Sequence, residues 1–99
     1  MIALRLAFSD PSQASARALY FDAHRQYLRS TPLRILLSGP FLSETGLPLG
    51  ALIVAEVASL QELQDFSAAD PFVRHAVYGE VKILTWSLSL SALAGLPIA

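Results

Sequence analysis

Two side chains of this sequence, His24 and Asp70, together have the chemistry needed for proton transfer. His24 lies inside a predicted helix, and Asp70 opens the segment "DPFV". Histidine serves as a general base or acid near neutral pH because its ordinary pKa is about 6.5. Such a base usually has a carboxylate that orients its second nitrogen, and Asp70 is the candidate for that role. Both residues also have a structural interpretation, as a core histidine bonded to the backbone and as a helix N-cap before proline.

Three more side chains on the helix of His24 are candidates for holding a substrate. Arg17 precedes His24 by two helical turns, so both lie on one side of the helix, about 10 Å apart. Its guanidinium could bind a substrate carboxylate or phenolate, or it could be a solvated surface charge. Tyr20 and Tyr27 flank His24 at i−4 and i+3 and are expected to line a cavity, although aromatic residues at this spacing are also common in cores. We interpret His75 as a surface residue.

Several other kinds of chemistry lack the residues that they need. The sequence contains no cysteine, which excludes disulfides, thiolate metal sites and a cysteine nucleophile. It has no glycine-rich phosphate loop and no cluster with metal-ligand spacing. Ser38 lacks the G-x-S-x-G context of a nucleophile elbow. We therefore expect neither a metal nor an organic cofactor.

The composition describes one small and unusually apolar domain. Its 99 residues are 54% hydrophobic and only 15% charged, against about 25% charged in a typical globular protein. Such a small domain has more apolar surface than it can bury alone, so we expect a homodimer or a larger oligomer. The net charge of −1 gives no general attraction to nucleic acid or to an anionic membrane. Residues 1–43 carry five arginines and two aspartates, however, and these arginines could favour an anionic small molecule.

Neither end of the sequence has the pattern of a targeting or membrane segment. The opening apolar stretch is short and is interrupted by Arg5 and Asp10. The uncharged run 83–99 is shorter than the roughly 20 apolar residues of a membrane span. Its alternation from Leu84 to Leu90 is that of a strand with one apolar face. We expect a cytoplasmic protein that binds neither membrane nor nucleic acid.

The hydrophobic periodicity predicts the element order β-α-β-β-α-β. Strands are predicted at residues 2–8, 33–41, 51–57 and 78–90, and helices at 12–30 and 59–66, with a further helical turn from residue 70. This order indicates an α+β fold of the ferredoxin-like kind, an antiparallel sheet with its helices on one face.

The other face of this sheet needs a cover. The strand at 51–57 is apolar on both sides, and the simplest cover is a second copy packed sheet against sheet. The domain is expected to span residues 1–90, with a tail at 91–99 that packs on the dimer partner.

Four segments of the sequence resemble the YciI-like (YCII-related) family. They are "AHRQYLRS", "LLSGPF", "GALIVAEV" and "DPFV" with the following "VYGEVKILTW", so the resemblance runs to about Trp86. It implies a ferredoxin-like subunit in a dimeric α+β barrel, with an active site of one histidine and one aspartate that match His24 and Asp70. Arg17 falls where relatives often have a basic residue. The better understood relatives imply lyase or dehydrochlorinase chemistry on oxygenated aromatic rings.

The chain also departs from this family. "VRHAVYGE" stands where relatives usually have a stretch of small residues, and "ILTW" lacks the proline that usually precedes the tryptophan. The resemblance therefore does not identify the substrate.

Residue chemistry and resemblance together favour a small-molecule enzyme. His24 would transfer a proton, Asp70 would hold its tautomer, and Arg17 would steady an anionic substrate during an elimination or isomerisation. Two alternatives stay open. One is a dimeric small-molecule binding or accessory protein without turnover, and the other is a structural dimer in which His24 and Asp70 only pack and cap.

Overall fold

A single four-stranded antiparallel sheet organises the chain. The computed structural model describes residues 1–96 and residue 98. Its elements are β1 (Ile2–Ser9), a 3-10 turn (Pro11–Gln13), α1 (Ala14–Ser30), β2 (Arg34–Leu42), β3 (Pro48–Glu56), α2 (Leu60–Ala69), α3 (Pro71–Arg74) and β4 (Tyr78–Trp86). The strands lie in the order β2-β3-β1-β4, and each neighbouring pair is antiparallel. The predicted α+β, ferredoxin-like fold is confirmed.

Two strand ends differ from the prediction by more than one residue, and the sheet register explains both. β4 ends at Trp86 rather than at Leu90, because Trp86 pairs with Ile2 and β1 has no earlier strand residue to pair with. β3 begins at Pro48, earlier than predicted, because Pro48 still pairs with Leu42 near the β2–β3 turn. Alternation alone does not reveal these ends, since each depends on the length of the neighbouring strand.

The helix α1 packs against both cores with partly buried side chains such as Tyr20 and Leu28. His24 is its only buried residue. The helix ends at Ser30 and the C-cap Thr31 is extended, because the following Pro32 disfavours helical geometry in the residue before it. Within residues 1–96 and residue 98, no helix is long and apolar enough to cross a membrane.

The helices cover one face of the sheet, and two small cores form between them and the strands. The first contains Ile53, Leu63 and Phe66, and the second contains Phe72 and Tyr78. Both are built on the small inner side chains of β1, since alanines there leave room for the helices to approach.

The opposite sheet face is only partly covered. Leu88 and Leu96, which follow β4, pack against a cluster around Val54 on the chain's own sheet. Leu84 and Trp86 on the same face stay 48% and 42% exposed. In the single chain Leu88 and Leu96 therefore lie on the chain's own sheet. The predicted contact of the tail 91–99 with a dimer partner stays a prediction, and residues 97 and 99 of that tail lie outside the described residues.

Candidate active site

Asp70 lies at the junction of two helices and caps the second one. Its backbone is extended between α2 and α3, and Pro71 takes the first helical position of α3. The Oδ1 atom of Asp70 accepts a hydrogen bond from the Phe72 N–H at 2.9 Å. The structural interpretation of Asp70 as an N-cap is therefore correct. Its side chain is nevertheless fully buried, which a cap on a helix of four residues does not require.

The same carboxylate contacts His24 across the interior. His24 Nδ1 lies 2.7 Å from Asp70 Oδ1, so the two residues singled out in the sequence share one hydrogen bond. An ionised carboxylate only accepts hydrogen bonds, so Nδ1 carries the proton and Nε2 of the neutral ring is free to accept one. The ring also stacks on Phe72 with centroids 4.0 Å apart and planes 1° from parallel. This contact fixes the plane in which Nε2 points.

Arg5 is a third member of this group. Its Nη1 donates to Asp70 Oδ2 at 2.7 Å, and neither side chain is exposed. Sequence reasoning missed Arg5, which was considered only as a charge that interrupts the first apolar stretch. The signal was present, because alternation places Arg5 with Ala3 and Ala7 on the inner face of β1, where a charge needs a partner.

Aromatic rings enclose the guanidinium of Arg5. Its Cζ lies 5.5 Å from the ring centroid of Phe66 and 5.4 Å from that of Tyr78. Among the described residues its Nε and Nη2 have no hydrogen-bond partner, although both are enclosed. The single bond to Asp70 is therefore the main polar contact of this buried cation.

These contacts decide the charge of Asp70. Burial alone would raise the pKa of this carboxyl, because water stabilises the ionised form. The hydrogen bond from His24, the positive charge of Arg5 and the Phe72 N–H act in the opposite direction and prevail, so the pKa of Asp70 lies below its ordinary value. Asp70 is therefore ionised at neutral pH and can hold the His24 tautomer.

A cavity of about 430 Å³ opens beside this group. Its walls come from α1, α3 and all four strands, and the lining includes Arg5, His24, Ile53, Phe72 and Tyr78. The His24 side chain is 10% exposed, and Nε2 is not among the enclosed atoms without a partner. The free nitrogen of the base is therefore accessible at the wall of a cavity that suits a small organic molecule.

Two arginines of α1 make this cavity cationic. Arg17 lines it as the spacing predicts, with Nη1 donating to Ser9 Oγ at 3.1 Å and Cζ 5.2 Å from the Phe72 ring centroid. Arg25, which sequence reasoning did not single out, also contributes to the lining, with its Cζ 5.4 Å from the ring centroid of Phe21. These charges favour an anionic guest.

Tyr20 and Tyr27 do not contribute to the described lining of the cavity. The Tyr20 ring stacks on His75 with centroids 3.6 Å apart, which leaves His75 half-buried rather than on the surface. The Tyr27 hydroxyl donates to the Phe66 carbonyl oxygen at 2.7 Å. At 3.6 residues per turn both tyrosines are rotated to one side of His24, and the cavity lies on the other side. Their predicted substrate contacts have no support in this geometry.

Tyr78 is the tyrosine that lines the cavity, and sequence reasoning missed it. It begins β4, and its pairing with Ser9 follows a register shift in the β1–β4 ladder. The ring lies edge-on to His24, with centroids 6.1 Å apart and planes at 85°. The sequence gives only a weak indication of this position. A register shift at the start of a strand decides which face of the sheet its first residue lies on, and alternation does not reveal such a shift.

The arrangement has the parts needed for proton transfer on an anionic guest. Nε2 of His24 can take or give a proton, the ionised Asp70 holds the other nitrogen, and Arg17 supplies positive charge nearby. Within the described part of the chain no three His, Cys, Asp or Glu side chains are grouped as metal ligands would be.

Comparisons with known proteins bear on the fold and on the family of this chain. Among solved structures, the chain is similar to TftG, the 5-chloro-2-hydroxyhydroquinone dehydrochlorinase from Burkholderia phenoliruptrix AC1100, solved in complex with 2,5-dihydroxybenzoquinone. The TM-score is 0.80 at 26% identity, over 90% of this chain and 96% of that chain. A protein from Bacteroides thetaiotaomicron classed among antibiotic biosynthesis monooxygenases shares the fold, with a TM-score of 0.52 at 14% identity over 100% of this chain and 95% of that one.

Two further comparisons concern the sequence itself. A search of curated proteins finds no significant match. The family model of the YCII-related domain, in contrast, matches residues 1–87. The match covers nearly all of the chain, including His24 and Asp70. This chain therefore belongs to the YCII-related domain family.

Proposed function

We propose that this protein is a cytoplasmic small-molecule enzyme that uses His24 and Asp70 for proton transfer on a small, oxygenated cyclic compound. One observation carries the proposal. The Nδ1 atom of His24 is held at 2.7 Å by a buried carboxylate, while the opposite side of the ring contributes to the wall of a cavity. A histidine that served only to pack would not need an open space at its second nitrogen.

The mechanism follows from the charges around the imidazole. Neutral His24 takes a proton from the substrate at Nε2, and the ionised Asp70 stabilises the resulting imidazolium. Negative charge that develops on a substrate oxygen is stabilised by the guanidinium of Arg17. In an elimination the leaving group departs with its bonding electron pair, and His24 later releases its proton.

The substrate class is inferred from the cavity and from the family. A volume of about 430 Å³ with apolar walls and arginines at its side fits one ring that bears anionic oxygens. The similarity to TftG, at 26% identity, supports the same class of ligand. For this chain we propose loss of HCl from a chlorinated hydroxyhydroquinone as the specific reaction to test.

The proposal includes a homodimer. Leu37, Leu84 and Trp86 lie on the open sheet face and are 43%, 48% and 42% exposed. Such an apolar patch is unusual on a monomer, and a second copy packed against it would remove it from water.

Chloride release separates an enzyme from a binding protein. Wild-type protein is incubated with 5-chloro-2-hydroxyhydroquinone and compared with His24→Asn, and binding of 2,5-dihydroxybenzoquinone is measured for both. We expect chloride release by the wild type and a rate lower by about 10²–10⁴-fold in His24→Asn, with binding retained. The matched control is His75→Asn, which changes the other histidine of the chain, outside the described lining of the cavity, and should leave the rate unchanged.

Two results would count against the enzyme. Equal rates in the wild type and His24→Asn would remove His24 from the chemistry. Tight binding by the wild type without chloride release would instead favour the alternative of a small-molecule binding or accessory protein.

A further inference from the structure

Tyr78 is held rigidly at the centre of the candidate site. Its ring lies edge-on to Phe72, with centroids 5.5 Å apart and planes at 85°, and edge-on to His24 as described above. The Cζ atom of Arg5 lies 5.4 Å from the ring centroid. The residue is only 5% exposed. These contacts fix where its hydroxyl lies.

The hydroxyl of Tyr78 has no partner within the described residues, whereas that of Tyr27 donates to a backbone carbonyl. A tyrosine buried to this extent usually finds a partner for its hydroxyl, so an unpaired one calls for an explanation. The phenol oxygen is also not fully enclosed, because within residues 1–96 and residue 98 the enclosed side-chain atoms without a partner belong to Arg5. Since Tyr78 lines the cavity, the cavity is where this hydroxyl can find a partner.

The surroundings keep this hydroxyl protonated. Burial raises the pKa of Tyr78, and the nearby Asp70 carboxylate acts in the same direction, whereas the charges of Arg5 and Arg17 only partly oppose them. The phenol therefore acts as a hydrogen-bond donor at neutral pH. A donor at the wall of a cationic cavity complements an oxygen that carries negative charge.

We propose that the Tyr78 hydroxyl donates a hydrogen bond to a substrate oxygen on the ring whose proton His24 removes. This inference rests on the proposed function and narrows its substrate class. The substrate must carry an oxygen substituent that becomes a phenolate or enolate during the reaction. In the step, a substrate C–H or O–H bond breaks, the proton goes to Nε2, and the electron pair is delocalised onto that oxygen. The centroids of His24 and Tyr78 are 6.1 Å apart, so a single substrate ring can meet both groups.

The test removes the hydroxyl and keeps the ring. The dissociation constant for 2,5-dihydroxybenzoquinone is measured by calorimetry on the full chain for the wild type and Tyr78→Phe. Loss of a hydrogen bond to a charged oxygen should weaken binding by about 10- to 150-fold. The melting temperature should not change, because the hydroxyl has no partner to lose in the part of the chain that the structure describes.

Tyr27→Phe is the matched control for stability. It removes the hydroxyl that donates to the Phe66 carbonyl oxygen, so it should lower the melting temperature by about 4–8 °C. A similar fall in Tyr78→Phe would show that its hydroxyl serves the fold, and would overturn the inference.

The binding outcomes separate the two proposals. Equal affinity in the wild type and Tyr78→Phe overturns the role of Tyr78 and leaves the proposed function intact. Failure of the wild type itself to bind 2,5-dihydroxybenzoquinone contradicts the proposed substrate class, and the role of Tyr78 falls with it.

Discussion

Replacing Arg5 and Asp70, singly and together, tests whether the buried ion pair holds the site. The pair joins Nη1 and Oδ2 at 2.7 Å with neither side chain exposed. Asp70→Asn keeps an oxygen that can cap α3 but removes the negative charge. The Arg5 cation then stays buried without its counter-charge, and its Nε and Nη2 already lack partners among the described residues.

The expected cost follows from this burial. Removing one partner of a buried ion pair typically costs about 3–5 kcal/mol, because the other charge stays desolvated. Arg5→Met should lower the free energy of unfolding by a similar amount, because the Asp70 carboxylate then stays buried without its counter-charge. The loss is smaller to the extent that the hydrogen bond from His24 still stabilises that carboxylate. The double variant leaves neither charge of the pair buried alone, so its cost should fall short of the sum of the single costs by up to about 3 kcal/mol.

Urea unfolding at 25 °C and pH 7 measures these free energies by linear extrapolation. A domain of this size has about 5–15 kcal/mol of stability, so the single variants should still show a folded baseline. The matched control is Arg34→Met, whose partner Glu56 lies 3.8 Å away, with the two side chains 66% and 40% exposed. The cost of this substitution should stay below about 1 kcal/mol. Two results would refute the reasoning. One is a loss of free energy of unfolding below about 1 kcal/mol in each single variant at Arg5 and Asp70. The other is a loss in the double variant that equals the sum of the two single losses.

Two further predictions concern pH and assembly. The pKa of Asp70 is lower in the folded state than in the unfolded chain, where it is about 3.9. The ionised carboxylate therefore stabilises the fold at pH values above this unfolded-state pKa, and the stabilisation is lost as the pH falls through the folded-state pKa. Acid titration of the free energy of unfolding should therefore show a loss below about pH 4 that Asp70→Asn lacks, and identical profiles would contradict this. Sedimentation should show a homodimer at micromolar concentration that Leu84→Lys, on the open sheet face, converts to monomer. Leu19→Lys changes an exposed leucine of α1 and should leave the dimer intact, whereas a wild-type monomer would refute the predicted interface.

The fold was predictable because each of its elements has a local signal. Alternation in β1 and β3, the helical spacing in α1 and the Asp70–Pro71 pair all depend on neighbours within a few residues. The end of β4 was not predictable in this way. It depends on where β1 begins, through the pairing of Ile2 with Trp86.

The candidate site was predictable only in part, because its members meet through tertiary packing. His24 and Asp70 were identified by their residue chemistry, as a histidine inside a predicted helix and a carboxylate that could orient it, and the family resemblance matches both. Arg5 was missed because its partner lies 65 residues further along the chain. Finding that pair requires the docking of α2 and α3 on β1.

The three tyrosines show most clearly how far spacing along the sequence can predict the members of the site. Tyr20 and Tyr27 are close to His24 in sequence, but a rotation of a fraction of a turn moves them away from the cavity. Tyr78, distant in sequence, lines the cavity because of the β1–β4 register. Spacing along one helix therefore identifies a shared side, and only packing shows which part of that side faces open space.

Nitrogen NMR of the two histidines tests the central claim most directly. In the neutral imidazole of His24 the proton should reside on Nδ1, which faces Asp70. Addition of 2,5-dihydroxybenzoquinone should then shift the Nε2 resonance of His24 and leave His75 unchanged. A proton on Nε2 of His24, or no response of that nitrogen at saturating ligand, would contradict a base that faces the substrate cavity.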